Sequence, residues 1–145
     1  MSTSKGGFSK EERAAMKDRA AELKKEKSRG RGKKRAAEEL DVIEKIAGMS
    51  GKDRALAERV HAIVTSNTEL DPKLWYSQPA YARDGKVVCF FRSGNDDGER
   101  YSTFGFTPEA SLDDASGVWA SSFAVDELTE KAEKKITTLV KKAVK

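Results

Sequence analysis

One histidine, His61, and one cysteine, Cys89, stand in a chain of 145 residues, so any nucleophilic dyad or triad built on them would have to use both. Nothing in their spacing brings them together. His61 lies beside an apolar helical stripe and Cys89 in the middle of a strand candidate; both read as structural, the thiol as a small buried hydrophobe. Zinc held by Cys and His is excluded by ligand count. Oxygen donors are plentiful instead. Asp96, Asp97 and Glu99 share one loop, and Asp113 and Asp114 share the next. Such clusters can hold hard cations or capture iron weakly, and the competing reading is solvated turn residues. The run "NDDGE" lacks the alternating ligands and the twelfth-position glutamate of a calcium loop. Gly51-Lys52 fails as a phosphate loop, since Ile46 and Asp53 occupy the places that need Gly and Ser or Thr.

Two stretches could bind rather than react. Arg29, Arg31, Lys33, Lys34 and Arg35 sit among glycines in "RGRGKKR", pliable enough to follow a phosphate backbone but without an aromatic to stack on bases. Weak nonspecific nucleic-acid or other polyanion binding is one reading, and a solvated linker the other. The stretch Leu74 to Tyr81, "LWYSQPAY", holds Trp75, Tyr76 and Tyr81. With Phe91, Tyr101 and Trp119 from neighbouring strand candidates, and with Gln78, Pro79, Arg92 and Arg100 at the edges, these form a candidate ligand cleft, an apolar wall with a few polar groups. The same aromatics would equally build a core. No general base with an oriented nucleophile can be named, so the expectation is a non-enzymatic binding protein. Its partner is a small molecule or a protein, with no cofactor firmly implied.

The elements that must position these residues follow from charge and periodicity. The net charge of +4 conceals an asymmetry: residues 1–36 hold 13 Lys or Arg against 5 Asp or Glu, whereas residues 37–145 hold 15 against 19. This divides the chain into a basic, partly helical and flexible N-terminal arm, 1–36, and a single domain, 37–145. Ser9-Lys10-Glu11-Glu12 has the capping-box pattern and predicts a thinly apolar helix over 10–27, followed by a flexible linker through Arg35. A second helix over 36–47 presents Leu40, Ile43, Ile46 and Ala47, and Gly48 ends it. A third begins near Ser50, with Asp53 at the positive end of its dipole and Leu56, Val60, Ile63 and Val64 on one stripe.

Asp71-Pro72 stops the helical pattern, and from Leu74 the periodicity becomes that of strands. Asp84-Gly85 predicts a tight hairpin turn between Ala80–Ala82 and Lys86–Arg92. Further strands are expected over Arg100–Phe106 and Trp119–Val125. A last helix carries Leu128, Ala132, Ile136, Leu139, Val140 and Ala143 on one face. Grouped strands flanked by helices predict an α+β fold, a mostly antiparallel sheet of four to five strands with N-terminal helices and a C-terminal helix packed on it. The lone cysteine and a charged start after Met1 predict a reducing, cytoplasmic location. The longest apolar run, Val87 to Phe91, predicts no membrane span.

Taken together, "GFSKEERAAMKDRAAELK", "DRALAERVHAIV", "LWYSQPAYARDGKVVCFFR", "LDD" and "WASSFAVDELT" resemble the YdhG-like family of small bacterial proteins over nearly the whole chain. The resemblance implies an antiparallel sheet packed with helices. It also implies iron as a ligand, because some relatives are frataxin-like intracellular iron chaperones. The family's opening motif is Trp-Tyr-Gly-Met-Pro-Ala-Tyr; here Ser77 and Gln78 replace Gly and Met. Serine at 77 predicts a backbone that does not need positive φ. The family's later Trp-Pro-Thr-Ala-Phe-Ala becomes Trp119 to Ala124, and its basic or neutral loop before Tyr101 becomes the acidic "NDDGE".

Overall fold

The computed structural model describes Gly30 and residues 32–145. The helix expected over 10–27, with Arg29 and Arg31, lies outside them. Contacts divide the chain between Ala36 and Ala37. Of the first unit, residues 32–36 are helical and exposed; the architecture that follows is that of 37–145. Helix α1 spans 32–47, so Lys33, Lys34 and Arg35 are helical where a flexible linker was expected. Lys and Arg are good helix formers, and lengthening an existing helix avoids the nucleation cost.

Helix α2, Gly51–Asn67, buries Leu56, Val60, Ile63 and Val64. Strands β1 Asp71–Trp75, β2 Gln78–Arg83, β3 Lys86–Arg92, β4 Ser102–Phe106 and β5 Ser122–Val125 follow, and then helix α3, Glu130–Ala143. The five strands form one antiparallel sheet in the order β1-β2-β3-β4-β5. The fold is α+β. Among the described residues no helix is long and apolar enough to cross a membrane.

Strand alternation gives the sheet two unlike faces. On one, Tyr81, Cys89, Phe91, Phe104 and Phe106 share a buried cluster with Val42 and Ile46 of α1, Leu56 and Val60 of α2, and Ile136 and Val140 of α3. The other carries a small cluster of Ala80, Ala82 and Val87, with Trp75 and Phe90 packed on it. Helix α3 is capped by the Thr129 hydroxyl, which accepts from the Ala132 N–H at 3.1 Å. Acids in its first turn and lysines in its last complement its dipole. Arg59 of α2 pairs with Glu133 of α3.

Three expectations need correction. Helix α1 buries Val42 and Ile46 and is followed by buried Met49, while Leu40 and Ile43 are 55% and 47% exposed. Met49 lies beyond the stop at Gly48, and its place in the core selects the stripe at 42, 46 and 49. Strand β1 begins at Asp71, ahead of Leu74, with Pro72 fully buried within it; an edge strand tolerates a residue that cannot donate to a ladder. Pro79, expected at a sheet edge or a bulge because it cannot donate a ladder hydrogen bond, sits instead in the interior strand β2. It pairs with Leu74 on one side, and pairing with β3 begins only at Ala80, so its missing N–H interrupts no ladder. The bulge belongs to β3 instead, where Val88 is the extra residue between Val87 and Cys89. The carbonyls there are satisfied by Thr107, whose N–H donates to Val88 at 3.0 Å and whose hydroxyl donates to Val87 at 2.5 Å.

The β1–β2 connection also departs from expectation. Trp75 pairs with Gln78, leaving a two-residue turn in which Tyr76 and Ser77 have φ of 51° and 61°. Both are left-handed, the type I′ geometry that matches strand twist and that Asn-Gly or Gly-Gly adopts most easily. Ser77 therefore does sit at positive φ. The Asp84-Gly85 turn repeats the geometry, with φ of 52° and 81°. Because a side chain in the left-handed region costs roughly 1 kcal/mol against glycine, Ser77→Gly is expected to raise the unfolding free energy by about that amount. Urea denaturation checks this; an unchanged or lower midpoint would contradict the turn assignment.

Candidate functional site

Two loops meet beside the C-terminal end of α1. The β1–β2 turn supplies Tyr76, Ser77, Gln78 and Pro79; the end of β3 and the loop after it supply Arg92, Ser93, Asp96 and Asp97. With Lys45 and Met49 they enclose a cleft of about 100 Å³. Tyr76 stands at its rim, 81% exposed, held edge-on to Trp75 with ring centroids 4.9 Å apart. Gln78 lines this cleft, and its Oε1 atom is shut off from solvent without a hydrogen-bond partner, the one buried side-chain polar atom in that condition among the described residues. Such an atom costs about 1–3 kcal/mol.

The charged groups around the cleft are arranged in pairs. Arg92 Nε donates to Asp97 Oδ2 at 2.5 Å, and its guanidinium lies 3.6 Å from Glu99. The hydrogen bond to Asp97 raises the Arg92 pKa above its usual value. Lys45 Nζ stands 4.0 Å from Asp96 Oδ2. These carboxylates answer nearby cations rather than converging on a common point. Among the described residues no three His, Cys, Asp or Glu gather as a metal site. Asp113 and Asp114 are exposed on a separate loop, where Asp114 accepts from the Ser116 N–H at 3.1 Å and from the Ser116 hydroxyl. These bonds hold its carboxyl below the usual range.

The aromatic cleft expected from sequence is not one surface. Tyr76, Gln78, Pro79, Phe91 and Arg92 are brought together, although Phe91 contributes from within the core, with no exposed surface. Tyr81 is fully buried, on the helix-covered face of the sheet. Its hydroxyl is 3.0 Å from His61 Nδ1, and His61 Nε2 lies 3.6 Å from Glu39. Burial raises the Tyr81 phenol and pushes the Cys89 thiol up to about 12. It also lowers His61, against the pull of Glu39. Cys89 is thus an unreactive core thiol. Trp75 lies against Phe90, ring centroids 5.3 Å apart, on the face away from the main core. Tyr101 and Arg100 stack on each other at the far end of the β3–β4 loop, 5.1 Å from guanidinium to ring centroid. Trp119 precedes β5, 44% exposed. Lys33, Lys34 and Arg35 are exposed in the first turns of α1.

Sequence reasoning missed the group that holds this loop in place. Asp53, in the first turn of α2, is only 6% exposed. Its carboxylate accepts from the Ser93 hydroxyl at 2.5 Å, the Asn95 N–H at 3.0 Å and the Ser102 hydroxyl at 3.3 Å. Ser93 and Ser102 pass the network on, accepting from the N–H groups of Asp96 and Gly94 at 3.3 and 3.0 Å. Asp53 thereby ties the helix to both stems of the loop that carries Asp96 and Asp97. The only available signal was an acid at a helix start, which reads equally well as a solvated dipole partner.

Set against known proteins, the chain matches no family model, and no curated protein or solved structure matches it either.

Proposed function

We propose that this chain is a non-enzymatic binding protein whose ligand, a small hydrogen-bond donor, seats in the cleft at Gln78. The observation that carries this reading is the partnerless Gln78 carbonyl oxygen. Turned towards the cleft that Gln78 lines, this oxygen gains a donor and recovers the cost of its burial, already incurred on folding. The exposed Tyr76 ring supplies an apolar wall, and Lys45 with Asp96, at the limit of ion-pair distance, leaves two further polar groups for orientation. Asp96 and Asp97, the carboxylates considered for iron, support this reading better, since each faces a cation of the cleft. The resemblance to the YdhG-like family fits a binding role; the iron which that resemblance implies is a different ligand from the donor proposed for this cleft.

Amide chemical-shift mapping with a set of small amides, amines and alcohols tests the proposal. Responses should cluster on Tyr76, Gln78, Arg92 and Ser93, including the Gln78 side-chain amide; scattered responses, or none, would remove the cleft. Gln78→Met offers a second measure. Exchanging an unsatisfied polar atom for an apolar one of similar length should raise the unfolding free energy by about 1 kcal/mol while removing the ligand response. A less stable variant that still responds would refute the role of Gln78. A second reading, nonspecific polyanion attraction, is favoured by the exposed Lys33, Lys34 and Arg35. It predicts affinity for heparin or nucleic acid that falls steeply with salt, and salt-independent binding would discard it.

A further inference from the structure

Strand β5 ends the sheet, and among the described residues its outer edge is open. In an antiparallel pair, residues alternate between those that bond the partner strand and those that point away from it. The Phe106 N–H donates to Ser121 O at 2.8 Å, and the register continues Phe104↔Phe123 and Ser102↔Val125. Phe123 and Val125 therefore bond to β4, while Ser122 and Ala124 direct their N–H and C=O groups outward. Among the described residues no strand meets them, and both are exposed.

Sheet edges are ordinarily blunted by charge, by proline or by cover. The opposite edge, β1, has Asp71, Pro72 and Lys73 in its five residues. Among the described residues the β5 edge has no such device. From Ala115 to Val125 the chain runs eleven residues without a charge or a proline, in a protein that is 36% charged.

Beneath this edge lies an apolar groove of about 90 Å³, lined by Phe123, Leu128, Ala132 and Leu139, with Glu127 the one acid at its border. Lys135 Nζ lies 5.6 Å from the centre of the Phe123 ring. Lys131 and Lys142 stand four residues before and seven after Lys135, so all three share one face of α3; helical spacing puts no acid of α3 itself with them, and Asp114, from the loop before β5, stands near Lys142.

We propose that β5 is a docking strand for an extended acidic segment of a partner protein, which adds to the sheet as a sixth strand. Main-chain bonds to Ser122 and Ala124 hold the segment. Its inward apolar side chains enter the groove, and its inward acids meet Lys135 and its neighbours, the division of labour seen when a peptide augments a sheet. Charge selects this occupant over a second copy of the chain. Two-fold pairing of β5 with itself would bring two lysine faces together, which costs rather than stabilises.

The test uses the full chain with two capped heptapeptides, ETVTVTE and KTVTVTK, whose alternate residues present Glu or Lys and Val on one side. ETVTVTE should slow hydrogen exchange at the Ser122 and Ala124 amides by about tenfold or more at saturation, and KTVTVTK should not. Lys135→Glu should reverse that preference. Ala124→Pro, which removes one outward N–H and leaves the β4 ladder intact, should abolish protection, with circular dichroism confirming that it folds. Two results would overturn the proposal: no protection at millimolar ETVTVTE, or protection that grows with protein concentration in the absence of peptide, which would give the edge to a second copy.

Discussion

Asp53→Ala is expected to lower the unfolding free energy by roughly 3 kcal/mol or more, one of the two largest losses among the substitutions considered. Each hydrogen bond to an ionised acceptor is worth about 1.5–3 kcal/mol, and the Asp53 carboxylate accepts three, one of them from a main-chain N–H. Alanine leaves the Ser93 and Ser102 hydroxyls and the Asn95 N–H around a hole that an apolar methyl cannot satisfy. The hydroxyls can rotate towards other acceptors, and this rotation sets the lower end of the range. Asp53→Asn should fall between, because its amide keeps one acceptor and turns a donor towards a hydroxyl. Urea denaturation gives the free energies. Hydrogen exchange gives the location, since the Gly94, Asn95 and Asp96 amides should lose protection before the helices do. A loss under 1 kcal/mol with those amides unchanged would mean that the carboxylate is not what holds the loop.

The parts of this fold that could be read in advance are those whose information is local. Leu56, Val60, Ile63 and Val64 mark the buried side of α2 by spacing alone, and Asp84-Gly85 announces its turn because glycine reaches positive φ without strain. The β1–β2 turn uses the same geometry with Tyr76 and Ser77, and nothing in those residue types signals it. Missing the turn hid the parity of β1 and β2, and parity decides which aromatics meet: Trp75 shares a face with Gln78, so Tyr81, three positions on, must point the other way. The bulge at Val88 shifts parity again within β3. The candidate cleft was accordingly legible as a set of residues near the hairpin but not as a surface. The Asp53 network joins positions forty to forty-nine residues apart, and a pairing of that range leaves no periodic trace. Pro72 misled for a related reason, since whether a proline is tolerated depends on the strand being an edge, a property of the sheet and not of the segment.

The same loop supplies the second large effect. Gly94→Ala is expected to cost roughly 3 kcal/mol, at the upper end of what overpacking does. A Cβ at Gly94 would lie 2.3 Å from Tyr101 O, 2.5 Å from the Tyr101 carbonyl carbon and 3.0 Å from Ser102 N. All three are main-chain atoms, so relief requires the two stems of the loop to separate. Separation lengthens the bond from the Gly94 N–H to the Ser102 hydroxyl, 3.0 Å at rest, and strains the Glu99 N–H bond to Gly94 O, 2.7 Å. It also draws Ser102 away from Asp53. Gly94→Ala and Asp53→Ala thus damage one structure, and their double variant should lose at least about 1 kcal/mol less than the two losses added. Simple additivity would show that the clash and the carboxylate act independently. Gly105→Ala provides the contrast: its Cβ would meet the Phe90 ring, 2.3 Å from Cζ, but a partly exposed side chain can swing aside. Its cost should be about 1–2 kcal/mol, with a change in Trp75 fluorescence as Phe90 moves against it. If Gly105→Ala proved the more damaging of the two, main-chain closure at Gly94 would not be the rigid contact that holds the loop stems together.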